Sequence, residues 1–333
     1  MSKERKQWID VYKAILIICV VLGHSNFKYT DVIYWFHMPL FFIMSGFLWN
    51  SKESDCLGFI KKKVKRLFIP WITYFMVLEI IPAIFIEKIK MGEIIIKCLM
   101  FMWSGKIYPG VYWYIPTLMS TLVAIWFIEK LNKKRASVIV AILYIVGIVE
   151  SILLIPYNIE KMPIFLCFPW NIDVCLISIM YVYIGIRLKS IGENLKKESG
   201  KQRNVLLFSC ISVILILIFL SKKNHFNYIM DMKYSEYKNF IMPLLIPILF
   251  GYIILQCSFV LYKVSYINKV LELIGKASMI IMYIHIPIRQ YIFEVINNQG
   301  YSAFVYTMSC CVIGVLIYMC VYNKKIGVFL LGK

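Results

Sequence analysis

Residues 8–24 read WIDVYKAILIICVVLGH, an apolar run with ionisable side chains near both ends. A helix gains about 1.5 Å per residue, so this run is long enough to enter a hydrocarbon core about 30 Å thick. No small-residue cleavage site follows it, and we expect it to remain as the first helix instead of being removed as a signal peptide. Comparable runs recur along the chain and predict helices at 11–27, 33–50, 67–87, 111–129, 137–155, 172–188, 205–220, 240–262, 271–291 and 302–322.

The composition indicates a membrane protein. Apolar residues make up 61% of the 333 residues, charged residues make up 17%, and the mean hydropathy is +0.74. A soluble domain is about half apolar and about a quarter charged. We predict an all-α fold, a polytopic membrane helical bundle of about ten transmembrane helices, in which residues 1–333 form one domain. We expect it to cross the bilayer of the cell (plasma or inner) membrane several times. The connection 88–110 holds an apolar stretch too short to span, which predicts an interfacial or re-entrant segment.

The distribution of charge predicts an orientation. The net charge of +19 does not indicate nucleic-acid binding, because no basic stripe or binding module accompanies it. Lys and Arg collect instead in the short loops between apolar runs. With both termini in the cytoplasm, 26 of the 37 basic residues fall on the inner side and 11 on the outer side. This bias is the positive-inside pattern of a membrane protein with an even number of spans.

The ten cysteines indicate neither a disulfide framework nor a metal site. Eight of them lie inside apolar runs, and no Cys-x-x-Cys spacing occurs in the sequence. We interpret them as small packing residues and expect no bound metal.

Ionisable residues on the first helix are candidates for chemistry. His24 lies eleven residues after Lys13, about 16 Å along a helix and close to three turns, so both residues share one face. Asp10 lies one turn before Lys13. A snorkelling lysine and an interfacial histidine would explain the pattern equally well. Ionisable residues on the interior face of a membrane helix are nevertheless functional candidates by default.

Four further positions complete the candidate set from physical reasoning. His37 enters the second helix at the same outer level as His24, which is difficult to explain by packing alone. The basic run Lys61–Arg66 precedes the third helix and is either plain positive-inside anchoring or a platform for phosphate groups. Glu79 is predicted near the middle of that helix, where a carboxylate must pair with a cation or face a polar route. Asp173 begins the sixth helix, a position that tolerates an acid well.

The chain carries six motifs that resemble, in order, those of the acyltransferase-3 family of integral membrane acyltransferases. The most specific is Lys13-x10-His24, which matches the family's Arg/Lys-x10-His motif. The others are Phe36-His37-Met38-Pro39-Leu40-Phe41-Phe42-Ile43-Met44-Ser45-Gly46-Phe47, Lys63-Val64-Lys65-Arg66, Trp113-Tyr114, Ile274-Gly275-Lys276-Ala277-Ser278 and Tyr283-Ile284-His285-Ile286-Pro287. The chain has Lys63 where the family's RxxR element has its first Arg, and Tyr114 where its Trp-Phe pair has Phe. It has Tyr-x-His where the family has Tyr-x-x-His. It most resembles the branch of fucose 4-O-acetylase-like and exopolysaccharide O-acyltransferases.

The resemblance implies transfer of an acyl group, most often acetyl from acetyl-CoA, to a hydroxyl of a cell-envelope or exported carbohydrate. It implies His24 as general base, since an imidazole titrates near neutrality, with Lys13 and Asp10 organising the same helix. Lys63 and Arg66 would hold the phosphates of acyl-CoA, the donor and co-substrate. The candidates for binding the carbohydrate acceptor are His37, Glu79, Trp113 and His285, and the alternative role of His37 and His285 is to orient the base. Polysaccharide biosynthesis machinery would be the expected partner.

Two other classes of function remain open from the sequence. Helices with polar interior residues suit a small-molecule transporter or flippase built on the same membrane domain, although no inverted repeat is evident. A sensor or purely structural membrane protein is a third class, which the motifs disfavour.

Overall fold

The computed structural model describes residues 7–50, 55–103, 106, 110–155, 167–195, 200–237, 239–293 and 302–332. These residues form helices joined by short connections and hold a single isolated β-bridge, between Asp231 and Glu236. The helices are α1 (Gln7–Gly23), α2 (Thr30–Tyr34), α3 (His37–Phe47), α4 (Cys56–Phe85), α5 (Met91–Trp103), α6 (Tyr114–Ile128), α7 (Lys133–Leu153), α8 (Ile172–Leu195), α9 (Gly200–Lys222), α10 (Met242–Leu261), α11 (Ser265–Lys276), α12 (Ser278–Phe293), α13 (Ala303–Val321) and α14 (Gly327–Leu331).

The chain divides into two compact units. The first unit contains Met1–Phe41, Asn194–Ile229 and Ile241–Asn323, and so holds α1, α2 and the helices α9 to α13. The second unit contains Phe42–Glu193, Met230–Phe240 and Lys324–Lys333, and so holds α4 to α7, nearly all of α8, and α14. Each unit is assembled from segments that are distant in the sequence.

Six helices among the described residues are long and apolar enough to cross a membrane, or seven if the bent pair α11 and α12 forms one span. Apolar side chains point away from the protein on these helices. On α9, Phe208 is 69% exposed and Phe219 is 60% exposed, as expected of a surface in contact with lipid. The all-helical prediction is therefore confirmed, whereas the prediction of ten spans and of their orientation stays a prediction. α5, in the connection 88–110, is too short to be among the six.

α4 is longer than the sequence predicted and contains two π-helical segments, Val64–Phe68 and Met76–Ile80. It begins at Cys56, so the basic run lies inside the helix and not ahead of it. Each π-helical segment ends two residues before a proline, Pro70 and Pro82. A proline has no N–H to donate to the carbonyl four residues earlier, so the helix widens at both places instead of ending.

Glycines permit two close helix crossings, one in each unit. In the second unit, a Cβ at Gly46 of α3 would lie 1.9 Å from the carbonyl oxygen of Val182 on α8, and one at Gly185 would lie 1.9 Å from that of Ile43. In the first unit, a Cβ at Gly275 of α11 would lie 2.0 Å from the carbonyl oxygen of Asp10. Such close approach is typical of small residues at the contacts between membrane helices.

The predicted helix 271–291 is broken in the structure. α11 and α12 meet at Ala277 with a bend of 74°. α12 then packs on α13, where a Cβ at Gly314 would lie 2.3 Å from the side chain of Ile281. The bend directs α12, which carries His285, along a different course from α11, which crosses α1.

Candidate functional site

His24 lies at the C-terminal end of α1 in the first unit. Its amide nitrogen still donates to the carbonyl oxygens of Val20 and Val21, at 3.2 Å each, so the residue closes the last turn of the helix. Arg289 of α12 donates from Nη1 to the carbonyl oxygen of His24, at 3.0 Å. This bond satisfies a carbonyl that the end of a helix would otherwise leave without a partner, and it fixes the backbone of His24.

A second histidine lies against His24. The ring centroids of His24 and His285 are 5.1 Å apart, and the two planes are tilted by 41°. His285 is fully buried, whereas His24 is half-buried. The Nδ1 atom of His285 lies 3.1 Å from the carbonyl oxygen of Ile281, and it must donate because a carbonyl only accepts. In the neutral ring Nε2 is then an acceptor, and it has no hydrogen-bond partner within the described part of the chain.

His37 joins the same group through one aromatic ring. The ring of Tyr34 lies 6.1 Å from that of His24 and 5.1 Å from that of His37. His37 is buried, and its Nδ1 atom donates to the carbonyl oxygen of Ile33 at 2.7 Å. The structure therefore brings together the three histidines that the motifs single out. Only His24 among them is partly accessible to a substrate.

Asp10 and Lys13 lie at the opposite end of α1. The Nζ atom of Lys13 is 3.8 Å from Oδ1 of Asp10, and Asp10 is only 1% exposed. Gly275 of α11 packs directly on the backbone of Asp10. Asp10 therefore lies where the start of α1 packs on α11, and Lys13 pairs with it. They do not lie beside His24, so a part in proton transfer at His24 would have to be indirect.

The basic run lies in the second unit, on the N-terminal half of α4. Arg66 is exposed, and Lys63 is half-buried with its Nζ atom 5.3 Å from the ring centroid of Phe59 and 5.8 Å from that of Trp49. Arg66 falls in the first π-helical segment. Its carbonyl oxygen, which Pro70 cannot satisfy, lies against Gly332, where a Cβ would approach to 2.1 Å. The geometry presents an exposed guanidinium beside a lysine held over aromatic rings.

Glu79 and Trp113 both lie in the second unit. Glu79 lies half-buried in the second π-helical segment of α4. Trp113 is 6% exposed and immediately precedes α6, where its carbonyl oxygen accepts from Oγ1 of Thr117 at 2.7 Å. π-helical segments often occur at functional sites, which favours Glu79 over Trp113 as a candidate.

No group of three or more His, Cys, Asp or Glu side chains that could hold a metal ion occurs among the described residues. All ten cysteines lie in the described part of the chain and are free thiols there.

Comparison with known proteins identifies the family. The profile of the acyltransferase-3 family, described as an acyltransferase domain, matches residues 6–323. The chain belongs to the acyltransferase-3 family. An amino-acid racemase of Enterococcus faecalis is 26% identical over an alignment of 164 positions, which covers 44% of this chain and 22% of that protein. The chain thus spans about a fifth of the length of this curated relative. No solved structure matches the chain significantly.

Two residues near His24 were missed by sequence reasoning. Arg289 and Tyr34 belong to none of the quoted acyltransferase-3 motifs, yet one binds the backbone of His24 and the other lies between two histidines. Arg289 follows Pro287 by two residues. An arginine just after a proline near the end of a helix is the one feature of the sequence that indicates a functional position here.

A buried polar cluster in the second unit was also missed, because Asp173 had been interpreted as an ordinary helix-start acid. Lys106 pairs with Oδ2 of Asp173 and donates to Oγ of Ser235 at 3.0 Å. Ser235 in turn donates to Oδ2 of Asp173 at 2.8 Å. Nearby, burial lowers the pKa of Lys233 to about 8, although the charge of Asp231 opposes this shift.

Proposed function

We propose that this chain is a membrane-bound O-acyltransferase, which moves an acyl group, most often acetyl, from acyl-CoA to a hydroxyl of an envelope or exported carbohydrate. Membership of the acyltransferase-3 family and several helices able to cross a membrane support the proposal. The observation that carries it is the partly accessible His24 beside the buried His285. We further propose that the chain crosses the cell membrane about ten times with both termini inside, as the positive-inside bias predicts.

His24 is the general base in this proposal. A sugar hydroxyl is a poor nucleophile until a base removes its proton, and an imidazole near neutrality can do so. The alkoxide oxygen then attacks the thioester carbonyl, the carbon–sulfur bond breaks, and the protonated His24 returns its proton to the departing CoA thiolate. His285 supports this step in the proposal, because its ring lies beside that of His24 and its Nε2 atom is an acceptor without a partner among the described residues. Arg289 holds the backbone of His24 during the cycle.

Lys63 and Arg66 are the proposed residues for the phosphates of CoA. Arg66 is exposed and can present its planar guanidinium to a phosphate in a bidentate manner. Arg66→Ala should raise the Kd for acetyl-CoA by about 10-fold or more, since a hydrogen bond to a charged group contributes about 1.5–3 kcal/mol. Arg135→Ala, which removes an exposed arginine at the start of α7 in the same unit, is the matched control. Unchanged affinity in the Arg66 variant would exclude the phosphate role.

The acceptor is addressed by a separate experiment. Mass spectrometry of surface glycans from a strain that lacks the gene should show the loss of an O-acyl group, and the mass difference identifies the acyl chain. Full acylation in that strain, together with substrate uptake by vesicles that contain the protein, would favour the transporter instead.

A further inference from the structure

The buried cluster at the start of α8 contains carboxylate oxygens whose hydrogen-bonding capacity is not used. Asp173 is 95% buried, being only 5% exposed, and its Oδ1 atom has no hydrogen-bond partner within the described residues. Glu150 of α7 has both carboxylate oxygens inaccessible to solvent and, among the same residues, without a partner. Buried polar groups in folded proteins are almost always satisfied, so these three oxygens have the capacity to contact a further ligand.

The charges of the cluster do not balance. The ammonium of Lys106 pairs with Asp173, and these two charges cancel. Glu150 interacts electrostatically with both of them and, when ionised, adds a further negative charge. Lys233 and Asp231 lie close by and offset one another. Among the described residues, Tyr237 and Cys167 also interact with the cluster, and Tyr237 lies near Ser235.

An uncompensated carboxylate in the apolar helix α7 is energetically expensive, and in proteins such a group is neutralised. A single positive charge held by Glu150 and Asp173 would neutralise it and would contact at least one of these oxygens. The ligand must be small, because the oxygens are closed to solvent. The described residues offer no set of three His, Cys, Asp or Glu ligands, which argues against a divalent metal ion.

We propose that Glu150 and Asp173 form a binding site for one exchangeable monovalent cation, either a proton or Na⁺, with Lys106 and Ser235 fixing the Asp173 carboxylate. The site lies in the second unit and uses no residue of the family motifs. It does not depend on the proposed acyl transfer, so the two proposals stand or fall separately.

The thermal stability of the full-length protein in lipid nanodiscs tests this site. The Tm is measured by tryptophan fluorescence while NaCl replaces choline chloride at constant ionic strength, and separately while the pH falls from 8.5 to 6. A ligand that binds only the folded state raises its stability by mass action, so we expect the Tm to rise by on the order of 3 °C or more. A response to Na⁺ identifies Na⁺ as the cation, and a response to pH alone identifies the proton.

Glu150→Gln is the decisive variant, because it keeps the shape of the side chain and removes its charge. If Na⁺ is the ligand, the Tm of this variant should not change with Na⁺. If the proton is the ligand, its Tm should not show the rise that the wild-type Tm shows between pH 8.5 and 6. Glu129→Gln, which breaks the partly exposed ion pair with Arg187 in the same unit, should respond like the wild-type protein. If Glu150→Gln does not fold, Glu150→Asp retains the carboxylate and should keep the response. Identical responses of Glu150→Gln and wild type to both titrations, or no response of the wild type to either, would overturn the proposal.

Discussion

His24 and His285 lie with their ring centroids 5.1 Å apart, one at the end of α1 and the other fully buried on α12. The carbonyl oxygen of Ile281 fixes the tautomer of His285, and the hydroxyl of Tyr306 donates to the His285 carbonyl oxygen at 2.8 Å. The buried histidine is thus held from two sides, while the accessible one can meet a substrate. This arrangement suits a base whose positive charge is stabilised by a neighbouring acceptor.

Replacement of His285 should therefore slow the chemical step. His285→Phe keeps a ring but removes the Nε2 acceptor, and we expect kcat to fall about 10- to 100-fold with KM for acetyl-CoA unchanged, as expected when support for general-base catalysis is lost. His285→Gln retains an acceptor, so its kcat should fall less than that of His285→Phe. His225→Phe, an exposed position in the same unit, serves as the control and should behave as wild type. Equal activity of His285→Phe and wild type would remove His285 from the mechanism.

Arg289 should matter for the placement of His24. Arg289→Gln weakens the charged hydrogen bond to the His24 carbonyl oxygen, so kcat should fall by about 10-fold. Arg289→Lys should recover part of this loss, since an ammonium can still donate to a carbonyl. Arg203→Gln, an exposed arginine at the start of α9, should leave the rate unchanged. A kcat for Arg289→Gln equal to that of the wild type would show that the bond does not position the base.

The sequence predicted the local features of this site but not its long-range contacts. The spacing of Lys13 and His24 placed both on α1, and the structure has them there. Periodicity carries no information about which distant helix packs on that face, so Arg289 could not be assigned to His24. His285 entered the candidate set only through the family resemblance. Its contact with His24 arises from the 74° bend at Ala277, which an apolar run such as 271–291 does not reveal.

The second unit also contains features that the sequence does not predict. Pro70 and Pro82 are visible in the sequence, but their effect, two widened segments within one long helix, depends on the packing of α4. The Lys106–Asp173 pair joins a connection to a helix start that lies 67 residues later. Each residue alone has an ordinary explanation, and only the folded chain shows that they meet in a buried cluster.

The close crossing of α1 and α11 predicts that a larger residue in place of Gly275 destabilises the fold. The added Cβ of Gly275→Ala would lie 2.0 Å from the carbonyl oxygen of Asp10, so the helices must separate, and we expect a loss of about 1–3 kcal/mol in the free energy of unfolding. Gly200→Ala is the matched control in the same unit, because nothing lies within 4 Å of its Cβ. Its stability should be unchanged or slightly higher. Denaturant unfolding in detergent micelles measures both, and equal stability of the two variants would contradict the observed crossing.

The buried Lys106–Asp173 pair predicts that removal of one of its two charges destabilises the fold more than removal of both. Asp173→Asn removes the carboxylate that pairs directly with the buried ammonium of Lys106, and we expect a loss of about 3–5 kcal/mol in the free energy of unfolding. Lys106→Met combined with Asp173→Leu removes both charges and should recover much of that loss. Glu129→Gln affects a partly exposed pair and should cost about 1 kcal/mol or less. A cost for Asp173→Asn no larger than that for Glu129→Gln would show that the pair is not buried.

The most direct test of the central claim is acyl transfer by His24→Ala in membrane vesicles. Radiolabelled acetyl-CoA is supplied to vesicles that contain equal amounts of wild-type or variant protein, and label in the extracted glycans is counted. We expect His24→Ala to lose at least about 100-fold of the wild-type rate, because a general base contributes 10²–10⁴-fold. Label incorporated by His24→Ala at the wild-type rate would contradict the account.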